Sequence, residues 1–204
     1  MPPPAGEAFE LHFIGELELG EQFHGVSQGE GLFVDYSVHA GPDWLAIAGS
    51  EGYVGQTQTA YADADGSHIF NHPLDFHFFG TSLEDWPKLH LQVMKLDIAG
   101  RAETLSYGAL ALPSSPGHDE LVCRTWTPMH PSRVDEARAT LAGGQPGFLT
   151  GPRAEILSGR LPEERTRMVT KTSGCVRIMV DTIFRNASAH NILLPKPGAK
   201  GPRG

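Results

Sequence analysis

The sequence predicts an all-β fold: an antiparallel β-sandwich with one short helix in a late connection. Three observations predict it. Seven or eight segments alternate apolar and polar residues with period two, which buries one face of a strand and wets the other. Clusters of Gly, Pro, Asp and Ser separate these segments, and 24 Gly and 16 Pro make a turn-rich composition foreign to a helical protein. Helical periodicity is confined to a single stretch. A length of 204 residues suits one domain.

The elements follow in order. Residues 1–8, "MPPPAGEA", are Pro-rich and expected to be disordered. "LHFIGELEL" (11–19) is apolar with a glycine break, which suggests a bulge or a close backbone approach. "LFVDYSVHA" (32–40) places Leu32, Val34, Tyr36 and Val38 on one face. "PLDFHFF" (73–79) places Leu74, Phe76 and Phe78 on one face and Asp75 and His77 on the other. "KLHLQVMKLD" points Leu89, Leu91 and Val93 inward and Lys88, His90 and Gln92 outward. "TLSYGALALP" and "ELVCRTW" read as two more strands, and "GCVRIMVDTIF" (174–184) sets Val176, Ile178 and Val180 together. Regular strands with turns between them predict the sandwich. The helix is "SRVDEARATLAGG": Ser132 is an N-cap candidate, Val134, Ala137, Ala139 and Leu141 give an apolar side, and Gly143 ends it. One domain is expected over 9–194, followed by a flexible basic tail, 195–204.

The start of the chain lacks a basic segment and a continuous apolar run, and no run is long enough to span a bilayer. An intracellular protein is therefore expected, with Cys123 and Cys175 as reduced core residues. The net charge of −8 hides a polarity. Residues 1–87 hold 14 Asp and Glu and no Lys or Arg; residues 88–204 hold all 16 Lys and Arg against 10 acids, a net +6. Such a split fits either drift on a solvated surface or a partner-facing polarity. An acidic total without a Lys/Arg–aromatic stripe argues against nucleic acid.

Catalytic chemistry finds little support. No G-x-S-x-G elbow, reactive-looking cysteine or phosphate-cradling loop occurs. His68, His72 and His77 carry the alternative of a metal-dependent β-fold enzyme. However, Pro73 opposes a helix aligning His68 with His72, and His77 and His90 read as outward residues of adjacent strands, with Asp75 the local partner. No recognisable ligand set results, so no metal and no cofactor are expected. Residues 91–113 resemble the part of a C2 domain in which an acidic loop joins two strands. Ca²⁺ takes six to eight oxygens. Asp97 and Glu103 are the carboxylates on offer there, and Lys95 stands where a first aspartate would be expected, so the reading is a C2-like sandwich without calcium.

Several motifs in order carry a more specific resemblance. They are "GLFVDYSVHAGPDW", "EGYVGQTQT", "FNHPLDFHF", "WPKLHLQV", "YGALALPSSPGHDELVCRTWTP" and "SGCVRIMVDTIFRN". With these, residues 11–190 resemble the B9-domain proteins. The resemblance implies a C2-like fold without catalytic residues. It implies a structural subunit of the Meckel-syndrome complex at the ciliary transition zone, which gates protein and membrane traffic on the cytoplasmic side of the cilium base. The implied partners are other B9-domain proteins, namely B9 domain-containing protein 1 and the Meckel syndrome type 1 protein, with membrane lipid touched inside the assembly as a further expectation. A lipid- or calcium-binding C2 module is the alternative. The motif positions Trp44, Pro73, Trp86, Pro87, Pro113, Pro116, Gly117 and Trp126 are expected to be framework: Trp86 packs under a loop and Pro87 fixes its own φ. Arg153, Arg160, Arg165, Arg167 and Lys171 are candidate partner-binding residues.

Overall fold

The structure, a computed structural model, describes residues 8–47, 53–129, 169–190 and 192. Among these residues ten strands form: β1 (Phe9–Glu21), β2 (Gly31–His39), β3 (Trp44–Ala46), β4 (Tyr53–Gln56), β5 (Ala60–Tyr61), β6 (His68–Gly80), β7 (Lys88–Leu96), β8 (Ala102–Ala111), β9 (Gly117–Pro128) and β10 (Thr170–Arg185). They hydrogen-bond in the order β3-β6-β1-β10-β9-β8-β7-β2-β4, with β5 on β2. Every pairing is antiparallel. The expected seven or eight strands are thus ten among the described residues. β3, β4 and β5, of 3, 4 and 2 residues, are too short to show a period.

The path folds on itself at β8–β9, which one residue pair joins, Tyr107↔Trp126. Side chains make up for the missing ladder there. Ser106 Oγ donates to Thr125 Oγ1 (3.1 Å), Thr125 Oγ1 to the Gly174 carbonyl (2.7 Å), and Thr127 Oγ1 to the Leu105 carbonyl (2.8 Å). Two layers result, β3-β6-β1-β10-β9 and β8-β7-β2-β4. Leu11, Phe13, Phe76 and Ile178 of the first pack with Val34, Leu89 and Leu91 of the second in one core. Phe76, Phe78, Leu89, Leu91 and Val93 share that core, as the alternation over 73–93 predicts.

β6 and β7 are not neighbours. β6 lies between β3 and β1, β7 between β2 and β8, and the loop 81–87 crosses from one layer to the other. The expectation that His77 and His90 lie on adjacent strands is therefore wrong. Alternation shows which face of a strand is buried but leaves its neighbour open. His90 is also not solvated: it is 3% exposed.

The glycine break in β1 is a close approach. A Cβ on Gly15 would collide with the Met179 carbonyl of β10, and the bulge comes later, between Leu17 and Leu19. Pro73 faces Glu16 of β1. The other neighbour of β6, β3, pairs with 78–80 only, so the missing N–H of Pro73 interrupts no second ladder among the described residues. The helix expected over 132–144 lies outside the described residues; among these the helical element is a 3₁₀ turn, Ala187–His190.

Candidate functional site

Two tryptophans fix the loop between β6 and β7. Trp44 Nε1 donates to the Glu84 carbonyl (2.9 Å), and Trp86 Nε1 donates to the Leu112 carbonyl (2.8 Å). Their rings meet edge to face at 5.1 Å. Phe9 meets Trp44 edge-on at 5.4 Å, and Phe184 stacks on Trp86 at 6.1 Å. The backbone adds two ties: the Gly41 N–H to the Asp85 carbonyl (2.9 Å) and the Leu112 N–H to the Pro87 carbonyl (3.1 Å). Asp85 takes a left-handed φ of +46°, and a Cβ on Gly41 would strike its side chain. The chain thus crosses between layers over a wedge of aromatic rings.

Pro113 and Pro116 lie in the turn between β8 and β9, and Gly117 opens β9 at φ +138°, which favours glycine. Trp126 marks the seam between the layers, with its ring 5.4 Å from Tyr107. Lys171 is exposed at the start of β10. Arg153, Arg160, Arg165 and Arg167 lie outside the described residues.

At the β7–β8 turn the sites a metal would need are occupied by the protein's own cations. Lys95 Nζ meets Glu103 (2.8 Å), Glu30 (3.6 Å) and the Gly25 carbonyl (3.4 Å). The hydrogen bond with Glu103 holds the ammonium above its ordinary pKa, against the effect of burial. Asp97 accepts the N–H groups of Ala99 (2.8 Å) and Arg101 (2.8 Å), and the Arg101 Nε (2.7 Å). Those bonds, the Arg101 N–H first, hold its carboxyl below the usual range.

The histidines do not converge. His68 is buried at the start of β6, and that burial lowers its pKa. His72 meets the Tyr36 hydroxyl at 3.2 Å. His77 lies on the other face of β6, stacked on His12 at 4.7 Å. Asp75 pairs with His12 (2.6 Å) rather than His77, whose carboxylate is Glu10 (3.5 Å). Among the described residues no three His, Cys, Asp or Glu side chains are grouped to hold a metal. His90 stacks on His39 at 4.5 Å beside a groove of about 540 Å³ on the outer side of β2, β4 and β7, lined also by Asp35, Ser37, Gln56 and Gln92. Ser37 Oγ and His39 Nε2 are 3.0 Å apart. Burial raises Asp35. Sequence alone missed this cluster, because alternation assigns its members to solvent.

Comparison with known proteins settles the family. A family model described as "Ciliary basal body-associated, B9 protein" (B9-C2) matches residues 11–183. The chain belongs to the B9 family. Similarity within it is extensive. B9 domain-containing protein 2 of Homo sapiens is 34% identical over 183 residues, 90% of this chain and 98% of that protein. The Danio rerio protein of that name is 35% identical over the same shares. B9 domain-containing protein 1 of Xenopus laevis is 25% identical over 178 residues, 87% of this chain and 85% of that one. Among solved structures, a C2 domain of plant Extended Synaptotagmin 1 aligns with a TM-score of 0.43 at 10% identity, covering 86% of this chain and 93% of that domain.

In this B9 protein the motif tryptophans of the sequence therefore lie at the layer crossing and at the seam. No described helix is long and apolar enough to cross a membrane.

Proposed function

We propose that this chain is a non-enzymatic structural subunit of the transition-zone complex at the cilium base, where it assembles with B9 domain-containing protein 1 and the Meckel syndrome type 1 protein. The observation that carries the reading is the match over residues 11–183 to a ciliary basal body-associated family. The internal chemistry supports it. The carboxylates of the β7–β8 end are bound to Lys95 and Arg101, which works against a calcium-dependent module. Trp44 and Trp86 spend their N–H groups on backbone carbonyls, as framework residues do. Arg153, Arg160, Arg165, Arg167 and Lys171 are the proposed basic contacts, on a single domain over 9–194 with flexible ends.

Affinity purification of the tagged full chain from a ciliated cell tests this. Recovery of both named B9-domain proteins, and localisation of the tag to the cilium base, are the expected results. A chain that localises there but recovers neither would overturn the assembly role.

A further inference from the structure

The outer face of the β6-β1-β10-β9 layer turns aliphatic side chains to water. Ile14 of β1 is 43% exposed, Ile183 of β10 50% and Val122 of β9 52%. Ile14 and Ile183 are diagonal neighbours, since Ile14 faces Asp181 and His12 faces Ile183 in the β1–β10 register. Single exposed aliphatics are ordinary. The surroundings of Ile14 are specific. It sits in register between two aspartates, Asp75 on β6 and Asp181 on β10. Asp75 meets His12 Nε2 at 2.6 Å and Asp181 meets His118 Nδ1 at 2.9 Å, and the two carboxylate side chains remain 77% and 57% exposed. The arginines nearby are already engaged: Arg177 with Glu18, Glu21 and Glu120, Arg185 with Glu10.

We propose that this face docks a protein surface that sets two Lys or Arg side chains astride an aliphatic one, with the cationic heads at Asp75 and Asp181 and the apolar part on Ile14 and Ile183. The two aspartates stand two strand spacings apart, ~9–10 Å, which sets the separation the partner's cations must match. The sign of the charge selects the class of partner. Carboxylates flanking the centre repel anionic lipid and nucleic acid and attract a basic protein surface. An apolar centre with a charged margin is also the anatomy of a protein interface, in which the margin raises the association rate and the centre holds the complex. The inference rests on the assembly reading above and names the surface that serves it.

The test uses the purified full chain with purified B9 domain-containing protein 1 as the probe. The Asp75→Lys, Asp181→Lys double variant should bind ~10-fold more weakly at about 0.05 M salt, with the gap narrowing as salt rises. Ile14→Ser should weaken binding about three- to tenfold at any salt. The Asp65→Lys, Glu84→Lys double variant changes net charge equally at exposed positions off this face and should bind as wild type does. All the side chains changed point to solvent, so melting temperatures should stay close to wild type, and that measurement guards against misfolding. Wild-type affinity in both face variants places the interface elsewhere and leaves the assembly reading standing. An equal loss in the control pair reduces the effect to total charge and overturns the docking face. A wild-type chain that does not bind the probe removes the assembly reading and this inference together.

Discussion

His90 shows how far the surroundings of one residue override its sequence pattern. It alternates with Leu89 and Leu91 and so reads as solvated, yet neither ring nitrogen has a hydrogen-bond partner among the described residues. Burial, with His39 and Lys88 nearby, pushes its pKa down to about 4. The sign of the consequence follows. Below the ordinary value near 6.5 the unfolded chain takes a proton that the folded chain refuses until pH about 4, so stability is full above pH ~6.5 and falls as pH drops through that window. His68, lowered by burial, acts in the same direction. One such proton is worth ~1.4 kcal/mol per pH unit. Urea unfolding of the His90→Gln variant between pH 7 and 4 should show a shallower loss than wild type, by ~2–3 kcal/mol over the window. An unchanged slope would mean that His90 is solvated after all.

Lys95 makes a second prediction at the same scale. With its ammonium among Glu30, Glu103 and the Gly25 carbonyl, the wild-type melting temperature should be the same in millimolar Ca²⁺ as in chelator. The Lys95→Asp variant replaces that cation with a third carboxylate and should gain a calcium-dependent rise, because an ion bound only to the folded state stabilises it. Calcium sensitivity in wild type would show that the lysine does not hold the site.

At the scale of elements, alternation was enough to place the long strands and not their limits. The inward set Leu74, Phe76 and Phe78 is legible, but β6 begins at His68 and not at Pro73, where the alternation starts the strand. Asn71 has φ +41° within the strand, and Pro73 is tolerated because β6 lacks a second ladder there among the described residues. Phe78 meets the Trp44 and Tyr53 rings at 6.3 and 5.2 Å and is 2% exposed. Phe78→Ala should destabilise the fold by ~3–5 kcal/mol. Gly15→Ala drives a methyl into the Met179 carbonyl of the neighbouring strand and should cost about 1–3 kcal/mol, although alanine has the better strand propensity. Chemical denaturation measures both. A midpoint unmoved by either change would mean that the register of β1 or β6 is off by one residue, which turns every side chain over.

At the scale of the whole molecule, the charge split along the chain does not become two hemispheres among the described residues. β1 and β6, from the part without Lys or Arg, share a layer with β9 and β10 from the basic part. Arg177 and Arg185 of β10 accordingly meet Glu18, Glu21 and Glu10 of β1, and Lys95 of β7 meets Glu30. Part of the polarity is thus consumed internally: the part-exposed pairs of Arg177 and Arg185 are each worth ~0–1 kcal/mol, while Lys95 and Glu30 meet with both side chains largely buried. What remains for a partner is kinetic. Association with another B9-domain protein should slow several-fold as salt rises and the Debye length shrinks from ~30 Å at 0.01 M to ~8 Å at 0.15 M. Reversing Arg165 and Arg167 to Glu should slow it further at low salt and leave the melting temperature unchanged. Stopped-flow mixing checks both, and a rate flat in salt would reduce the polarity to composition.

The sequence by itself determined the all-β class, the inward faces of the long strands and the family. Each depends on local alternation, turn chemistry or motif order, which are properties of residues near one another in the chain. Only the tertiary structure decided that β6 and β7 lie in different layers, that Asp75 serves His12 and Glu10 serves His77, and that His90 is buried. It also decided that Ile14 lies between two aspartates contributed by β6 and β10. Those outcomes depend on which strand becomes whose neighbour, and period-two patterning carries no information about the partner across the ladder.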